Sequence, residues 1–391
     1  MAAREDPLKK NKKIFMPVYN EIDYDGRVQR AAECLAEKHS VTLFSVNSHK
    51  GYANPHFTLR TVSLAWFAGT GMARYAYYCA VLIAAALRAR PHIIYAQDYF
   101  TAFPARISAA LTGAVLVYDS HELIIPETGV KLGRRNAFFY RLEKRTLPRA
   151  ALVIAANTER AKLMQEHYGL RETPLAIHNI SPPPGDTPGP DDAVRRYPPL
   201  RRGRSGLVRL VFQGFLSADR GVVASIAALG QLPERFELVL VGGGPPDDIA
   251  AIHRAIGEFG VDRRVIFLGR VPRDHLHDIL QTCDIGIVYY YTRTLNHLYC
   301  ASNKIYEYAQ AGLPMISTCQ PPLRATVEKY GIGELIGCND DGAEGRITDI
   351  VKAGQLIAAN LDGYREKIPA FLAENRWEME ARRLLEAVDK L

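Results

Sequence analysis

The sequence predicts an α/β fold in two halves, and three observations lead there. Short apolar runs alternate with amphipathic helical stretches in two successive series. A polar, proline-rich segment from Ser181 to Arg204, holding SPPPGDTPGP, YPPL and RRGR, separates the two series. The length of 391 residues exceeds one core and suits two domains of roughly 150–200 residues. The expectation is two Rossmann-like domains facing a central cleft, over residues 1–185 and 205–370, with a linker at 186–204.

The bulk numbers narrow the function class. A hydrophobic content of 48% is that of a globular chain. Net charge +7 and a pI near 9.0 favour anionic partners such as nucleotide-sugars, phospholipid head groups or nucleic acid. The basic residues are dispersed rather than striped with aromatics, which argues against nucleic acid. Six cysteines at 34, 79, 283, 300, 319 and 338 form no Cys-x-x-Cys pair and read as reduced thiols of a cytoplasmic protein. The N-terminus MAAREDPLKKNKKIF lacks a signal-type apolar core. The most apolar stretch, Tyr75 to Leu87, is too short to span a bilayer. The chain is expected to be cytoplasmic, with contact at the inner membrane face compatible with its basic first half.

In the first half, Lys12 to Val18 reads as a buried strand, Arg27 to His39 as a helix and Ser40 to Val46 as a second strand. The order describes a βαβ unit with a right-handed crossover. The turn Asp25-Gly26-Arg27-Val28 between strand and helix suits a capped helix or a ligand loop. A helical region follows around Thr70 to Arg90, then a strand at Pro91 to Ala96, a helix at Ala105 to Leu111 and a strand at Ala114 to Tyr118. His121, in Asp119-Ser120-His121-Glu122, stands at the carboxyl end of that strand, where ligands bind in open α/β sheets. Asp98 ends the preceding strand and is a second candidate. Tyr140 to Ala150 (helix), Leu152 to Ala156 (strand), Asn157 to Tyr168 (helix) and Leu175 to Asn179 close this half.

The second half opens with a strand at Val208 to Gln213, the turn Gly214 to Gly221 and a helix at Val222 to Leu229. Arg220, at the helix mouth, can offer a forked contact to phosphate. Phe236 to Val241 is a strand ending in Gly242-Gly243-Gly244-Pro245, and such a cluster lets a ligand approach the backbone. It is neither a P-loop nor a G-x-G-x-x-G dinucleotide turn. Val265 to Leu268 leads to the turn Gly269-Arg270-Val271, Leu276 to Cys283 is a helix, and Asp284 to Tyr289 is a strand. Ile347 to Asn360 reads as a late helix after an acidic loop, Asn339-Asp340-Asp341-Gly342. Phe371 to Leu391 is a charged amphipathic terminal segment.

Between these lies YCASNKIYEYAQAGLPMIS, Tyr299 to Ser317. Ser302 and Asn303 suit an N-cap, so a helix opens near Lys304, and Gly312-Leu313-Pro314 stops it. A helix mouth with a lysine, and Glu307 one turn further, suits a diphosphate joined to a hydroxyl-bearing sugar. The same residues also suit an ordinary capped helix with its charges turned to solvent.

This stretch resembles the donor-binding motif of GT-B fold glycosyltransferases of family 4. Glu307, Gly312 and Pro314 match the second of that family's paired glutamates and its tail. Tyr299 stands eight positions earlier, where the first glutamate is usual. At Gly214 to Gly221, Phe215 replaces the first of two diphosphate-gripping basic residues and Arg220 takes the place of the second. The resemblance implies transfer of a sugar from a nucleoside-diphosphate sugar to a hydroxyl acceptor (glycan, lipid-linked or small molecule), with retention and without a bound metal. It implies that His121, Arg220, Lys304 and Glu307 carry the reaction. Gly214, Gly242, Gly243, Gly244, Arg270, Ser302 and Asn303 would complete the donor site. It also implies that the terminal helix, 371–391, crosses back to the first domain. Two rival readings follow from the departures: a degenerate nucleotide-sugar-binding subunit, favoured by Tyr299 and Phe215, and a GT-B nucleotide-sugar epimerase.

Overall fold

The structure of the protein is a computed structural model. It describes residues 12–46, 53–65, 71–127, 131–183, 185, 188–201, 203, 205–217, 220–292, 294–338 and 342–391. The basic N-terminal tail, parts of the proline-rich segment, residues 218–219 of the Gly214 to Gly221 turn and most of the acidic loop at 339–342 lie outside the described residues. The chain divides into two compact units, Met1–Asn179 with Glu378–Leu391, and Ile180–Trp377.

The first unit is a parallel sheet of β1 (Lys13–Pro17), β2 (Ser40–Val46), β3 (Thr58–Val62), β4 (Ile93–Gln97), β5 (Val115–Ser120), β6 (Leu152–Ala155) and β7 (Leu175–Ala176). Their spatial order is β3-β2-β1-β4-β5-β6-β7, so the chain reverses direction across the sheet between β1 and β4. β3 was not anticipated, because the run TLRTV carries a charge and is largely exposed at the sheet edge. The helix expected from Ala105 begins earlier and spans Asp98–Thr112, enclosing Pro104. The one expected at Tyr140 to Ala150 is Arg134–Thr146, followed by a 3-10 turn at Leu147–Arg149. The terminal stretch is two helices, Ile368–Glu374 and Trp377–Asp389, broken at Asn375. The second of these is tied to the first unit: His178 N and Nδ1 lie 3.1 and 3.2 Å from the Glu380 carboxylate, and Cys34 Sγ is 3.2 Å from the Ala381 carbonyl.

The second unit is again all parallel, with β8 (Val208–Phe215), β9 (Phe236–Gly243), β10 (Val265–Gly269), β11 (Ile285–Val288), β12 (Met315–Thr318) and β13 (Gly333–Ile336). The order β10-β9-β8-β11-β12-β13 reverses between β8 and β11. Strand alternation splits the core into two faces. Leu210, Phe212, Leu238, Leu240, Ile285 and Ile287 pack on one, and Val211, Val239, Val241, Val288 and Met315 on the other. Both faces are buried, which explains the near-continuous apolar runs.

The described residues of the 186–204 linker are structured. They hold a helix, Pro190–Arg196, and a 3-10 turn, Pro198–Leu200, with Ala193 and Leu200 buried in the second core. Gly189 N donates to Asp278 Oδ1 at 3.2 Å, so proline content here marks tight turns rather than a flexible tether. The reading of all six cysteines as free thiols is corrected as well. Cys319 and Cys338 form a disulfide, with Cα atoms 5.2 Å apart. They follow the ends of the paired strands β12 and β13, whose parallel register sets them side by side. The other four cysteines are buried and form no disulfide.

Candidate donor site

In the second unit the carboxyl ends of β8, β9 and β11 meet at the reversal point, the expected ligand position of such sheets. Two glycines allow the closure. Gly214 and Gly242 take φ values of 107° and 138°, and a Cβ on Gly242 would lie 1.8 Å from the Gly214 carbonyl oxygen. A side chain is disfavoured by the backbone angle at both positions and, at Gly242, by space as well.

The helix Lys304–Gln310 lies against these strand ends and carries the charged groups. Tyr308 fixes its register: its hydroxyl lies 3.3 Å from the Val211 carbonyl and 3.2 Å from that of Ile287. Its ring occupies the space over Gly286, where a Cβ would come within 2.3 Å of it. The seating of Tyr308 holds Lys304 and Glu307 on the ligand side of the helix. Asn303 precedes the helix as expected, but its side chain caps no N–H. The helix mouth therefore owes little to side-chain capping.

A cavity of about 590 Å³ opens here. Gly214, Arg220, Gly242, Gly243, Arg270, Asn303, Lys304 and Glu307 all line it, as do Gln213, Phe215, Arg273 and Tyr290. Gly244 and Ser302 are outside the lining. Gly244 instead backs onto the Leu216 carbonyl, where a Cβ would come within 1.8 Å. Tyr299 is absent from the lining too, so the residue standing where the first glutamate is usual does not replace it in this cavity.

The electrostatics are unusual at Lys304. Lys304 is 8% exposed, and its Nζ is buried without a hydrogen-bond partner among the described residues. The ammonium sits 4.6 Å from the Phe212 ring centre and 5.5 Å from that of Tyr290, a cation–π cradle that partly offsets lost hydration. Burial, then the nearby Arg220 charge, push its pKa down to about 8 against the pull of Glu307. Arg220 itself lies over the Phe215 ring at 5.3 Å, so the aromatic in the first basic position braces the second. Arg270 crosses Gly243, where a Cβ would meet its Nε at 2.6 Å. Tyr290 is clamped by Thr318 Oγ1, which accepts from its N–H at 3.0 Å, and by Gln320 Nε2, which donates to its carbonyl at 2.7 Å.

The first unit gathers a second cluster at the ends of β4 and β5. His121 Nε2 donates to Gln97 Oε1 at 2.7 Å, and Arg160 Nη1 donates to the His121 carbonyl at 2.6 Å. Asp98 takes a φ of 61°, an unfavourable value for a residue with a Cβ. Its Oδ1 accepts from the N–H groups of His121 and Glu122 at 3.3 and 3.2 Å. Burial raises its pKa to about 7, although His121 pulls the other way. In the Asp25 turn, Oδ1 of Asp25 accepts from Val28 N at 3.1 Å and so caps the helix Gly26–Ala36. Arg27 is spent on Asp119, 2.7 Å away, and on the Ile177 carbonyl.

Comparison with known proteins settles the family. Residues 26–179 match the Glycosyl transferase 4-like domain, and residues 208–352 match Glycosyl transferases group 1. The chain belongs to the group 1, family 4-like glycosyltransferases. Solved structures that resemble this glycosyltransferase share its GT-B architecture. HepE from Anabaena, in complex with UDP and glucose, superposes with a TM-score of 0.77 at 18% identity, over 97% of this chain and 100% of that one. Sucrose-phosphate synthase from Thermosynechococcus elongatus gives 0.71 at 17%, over 97% and 99%. WaaG, a glycosyltransferase involved in lipopolysaccharide biosynthesis, gives 0.71 at 17%, over 95% and 98%. No curated protein matches the sequence significantly. No helix among the described residues is long and apolar enough to cross a membrane.

Proposed function

We propose that this glycosyltransferase moves a sugar from a UDP-sugar to a hydroxyl acceptor, with retention at the anomeric carbon and without a bound metal. The observation that carries the proposal is the buried, unpartnered Lys304 ammonium in a cavity shared with Arg220 and Arg270. A buried cation without an acceptor is costly, and a diphosphate supplies the missing acceptor. The choice of UDP draws on HepE, which is described in complex with UDP and with UDP-glucose.

In the proposed reaction the bond between the anomeric carbon and the β-phosphate oxygen breaks, and the electron pair leaves with the diphosphate. The acceptor oxygen bonds to the same carbon on the same face, and its proton passes to the departing phosphate oxygen. Lys304 and Arg220 neutralise the charge that develops on the diphosphate, the kind of fixed electrostatics that dominates many enzymes. Glu307 takes the ribose hydroxyls. Gly214, Gly242 and Gly243 admit the ligand to the backbone, and Arg270 serves the nucleotide side. His121 is assigned to the sugar and acceptor chemistry, oriented by Gln97. The acceptor is a glycan, a lipid-linked carrier or a small molecule, in glycan or glycoconjugate assembly, with peripheral contact at a membrane face.

A thermal-shift screen against UDP-, GDP-, TDP- and CDP-sugars and their free diphosphates tests the donor. A ligand at 100 times its dissociation constant adds about 2.7 kcal/mol of stability. Strong stabilisation by the UDP series, lost in Arg220→Ala, is the expected result. No shift with any nucleotide would contradict the proposal. Turnover that persists in excess EDTA is the matching expectation for metal independence.

A further inference from the structure

Beside Lys304 Nζ, two acceptors of residues that line this cavity, Gln213 Oε1 and Asn303 Oδ1, are buried without a partner among the described residues, and Gln213 is the one tied to Glu307. Gln213 closes the apolar part of β8 and is 2% exposed. Its amide orientation is fixed by chemistry. Glu307 Oε2 lies 2.5 Å from Gln213 Nε2, and a carboxylate only accepts, so the nitrogen must face it and the carbonyl oxygen must point elsewhere. That oxygen is an acceptor held out of water with no donor among the described residues, which is unfavourable unless a ligand supplies one.

The cavity thus has two chemical sides. Arg220 and Lys304 offer positive charge, whereas Gln213 Oε1 and the Glu307 carboxylate are neighbouring acceptors. Phosphate oxygens cannot donate and are repelled from the acceptor side. Two acceptors side by side suit two adjacent hydroxyls. We infer that Gln213 is a specificity-determining residue: its Oε1 accepts from one ribose hydroxyl, while its Nε2 holds Glu307 in the orientation that takes the other. The inference rests on the nucleotide-sugar reading above and adds a residue to it. One polar residue ending an apolar strand carries no pattern of its own, so this role is not legible in the sequence.

The test uses the full chain and three probes: UDP, its 2′- and 3′-deoxy analogues, and inorganic pyrophosphate. Affinities are measured by calorimetry for wild type and Gln213→Met, which keeps the side-chain length and removes both hydrogen bonds. One lost hydrogen bond is worth about a factor of five. The preference of wild type for UDP over at least one deoxy analogue should therefore fall at least about fivefold in Gln213→Met. Pyrophosphate, which has no ribose, should bind both proteins within about twofold, which also reports that the variant is folded. Equal losses for UDP, both deoxy analogues and pyrophosphate would overturn the inference, as would an unchanged ribose preference. Should Gln213→Met fail to fold, Gln213→Asn, which withdraws the amide, must show the same loss of ribose preference. Failure of wild type to bind UDP or pyrophosphate at all would instead overturn the donor reading together with this one.

Discussion

The two ends of β8 each hold a buried cation, and they are treated in opposite ways. At the amino end, Arg209 is 1% exposed. Its guanidinium reaches Glu237 Oε2 through Nε and Nη2 at 3.2 and 3.0 Å, and the carbonyls of Leu200 and Thr282 at 2.9 and 3.3 Å. At the carboxyl end, the Lys304 ammonium has two aromatic faces and no acceptor among the described residues. Burial demands a partner in both places. Where the protein provides it, the charge holds the fold together; where it does not, we assign the charge to the donor diphosphate. The contrast matches the general rule that such sheets bind ligands at the carboxyl ends of their strands.

The contrast breaks down if the two cations respond alike to removal. The largest effect is expected on turnover: Lys304→Met and Arg220→Ala should each lower kcat by a factor of about 10²–10³, the usual cost of deleting one transition-state charge contact. Retention of near-wild-type kcat in either variant would remove that residue from the site. Next, Arg209→Met should cost about 3 kcal/mol of stability in urea unfolding, because Glu237 and two carbonyls lose their donor. Its effect on UDP affinity should be small.

The pH response sharpens the comparison further. The folded Lys304 pKa lies near 8, below its ordinary value. Between the two values the folded state binds fewer protons than the unfolded one, so the free protein gains stability as pH rises through this window. Donor binding needs the ammonium, so UDP affinity should fall over the same range, by up to about tenfold per pH unit. Both slopes should vanish in Lys304→Met, and a persistent affinity slope would point to another group.

A smaller effect belongs to the first unit. Glu143 is buried, accepts from the hydroxyls of Tyr118 and Tyr168, and has its pKa raised by burial to about 7. Its stabilising contribution is present below the ordinary glutamate range and is lost as pH rises through about 7. Glu143→Gln, whose Oε1 still accepts from one tyrosine while its Nε2 donates to the other hydroxyl oxygen, should flatten that part of the stability profile. An unchanged profile would mean that Glu143 is ionised in the fold.

Much of this organisation was legible in the sequence because it is local. Strand runs, the glycine turns after β8 and β9, and the Lys304 and Glu307 spacing each follow from residues close together in the chain. What escaped was set by the sheet. Cys319 and Cys338 pair only because β12 and β13 lie side by side. Arg27, a candidate loop residue, is consumed by Asp119 far along the chain. Gln213 gains meaning only when the helix Lys304–Gln310 swings Glu307 against it. The proline-rich stretch was misleading for the opposite reason, since its composition resembles a tether while Ala193 and Leu200 anchor it in the second core.

The central claim is that Lys304 is a cation kept unpaired for the donor diphosphate. The most direct test is thermal unfolding of wild type and Lys304→Met, each with and without saturating UDP. The account predicts that the free variant is at least as stable as wild type, because an uncompensated buried charge has been removed, and that UDP no longer stabilises it. A free variant clearly less stable than wild type, with its UDP shift intact, would contradict the account and place Lys304 among the residues that merely hold the fold.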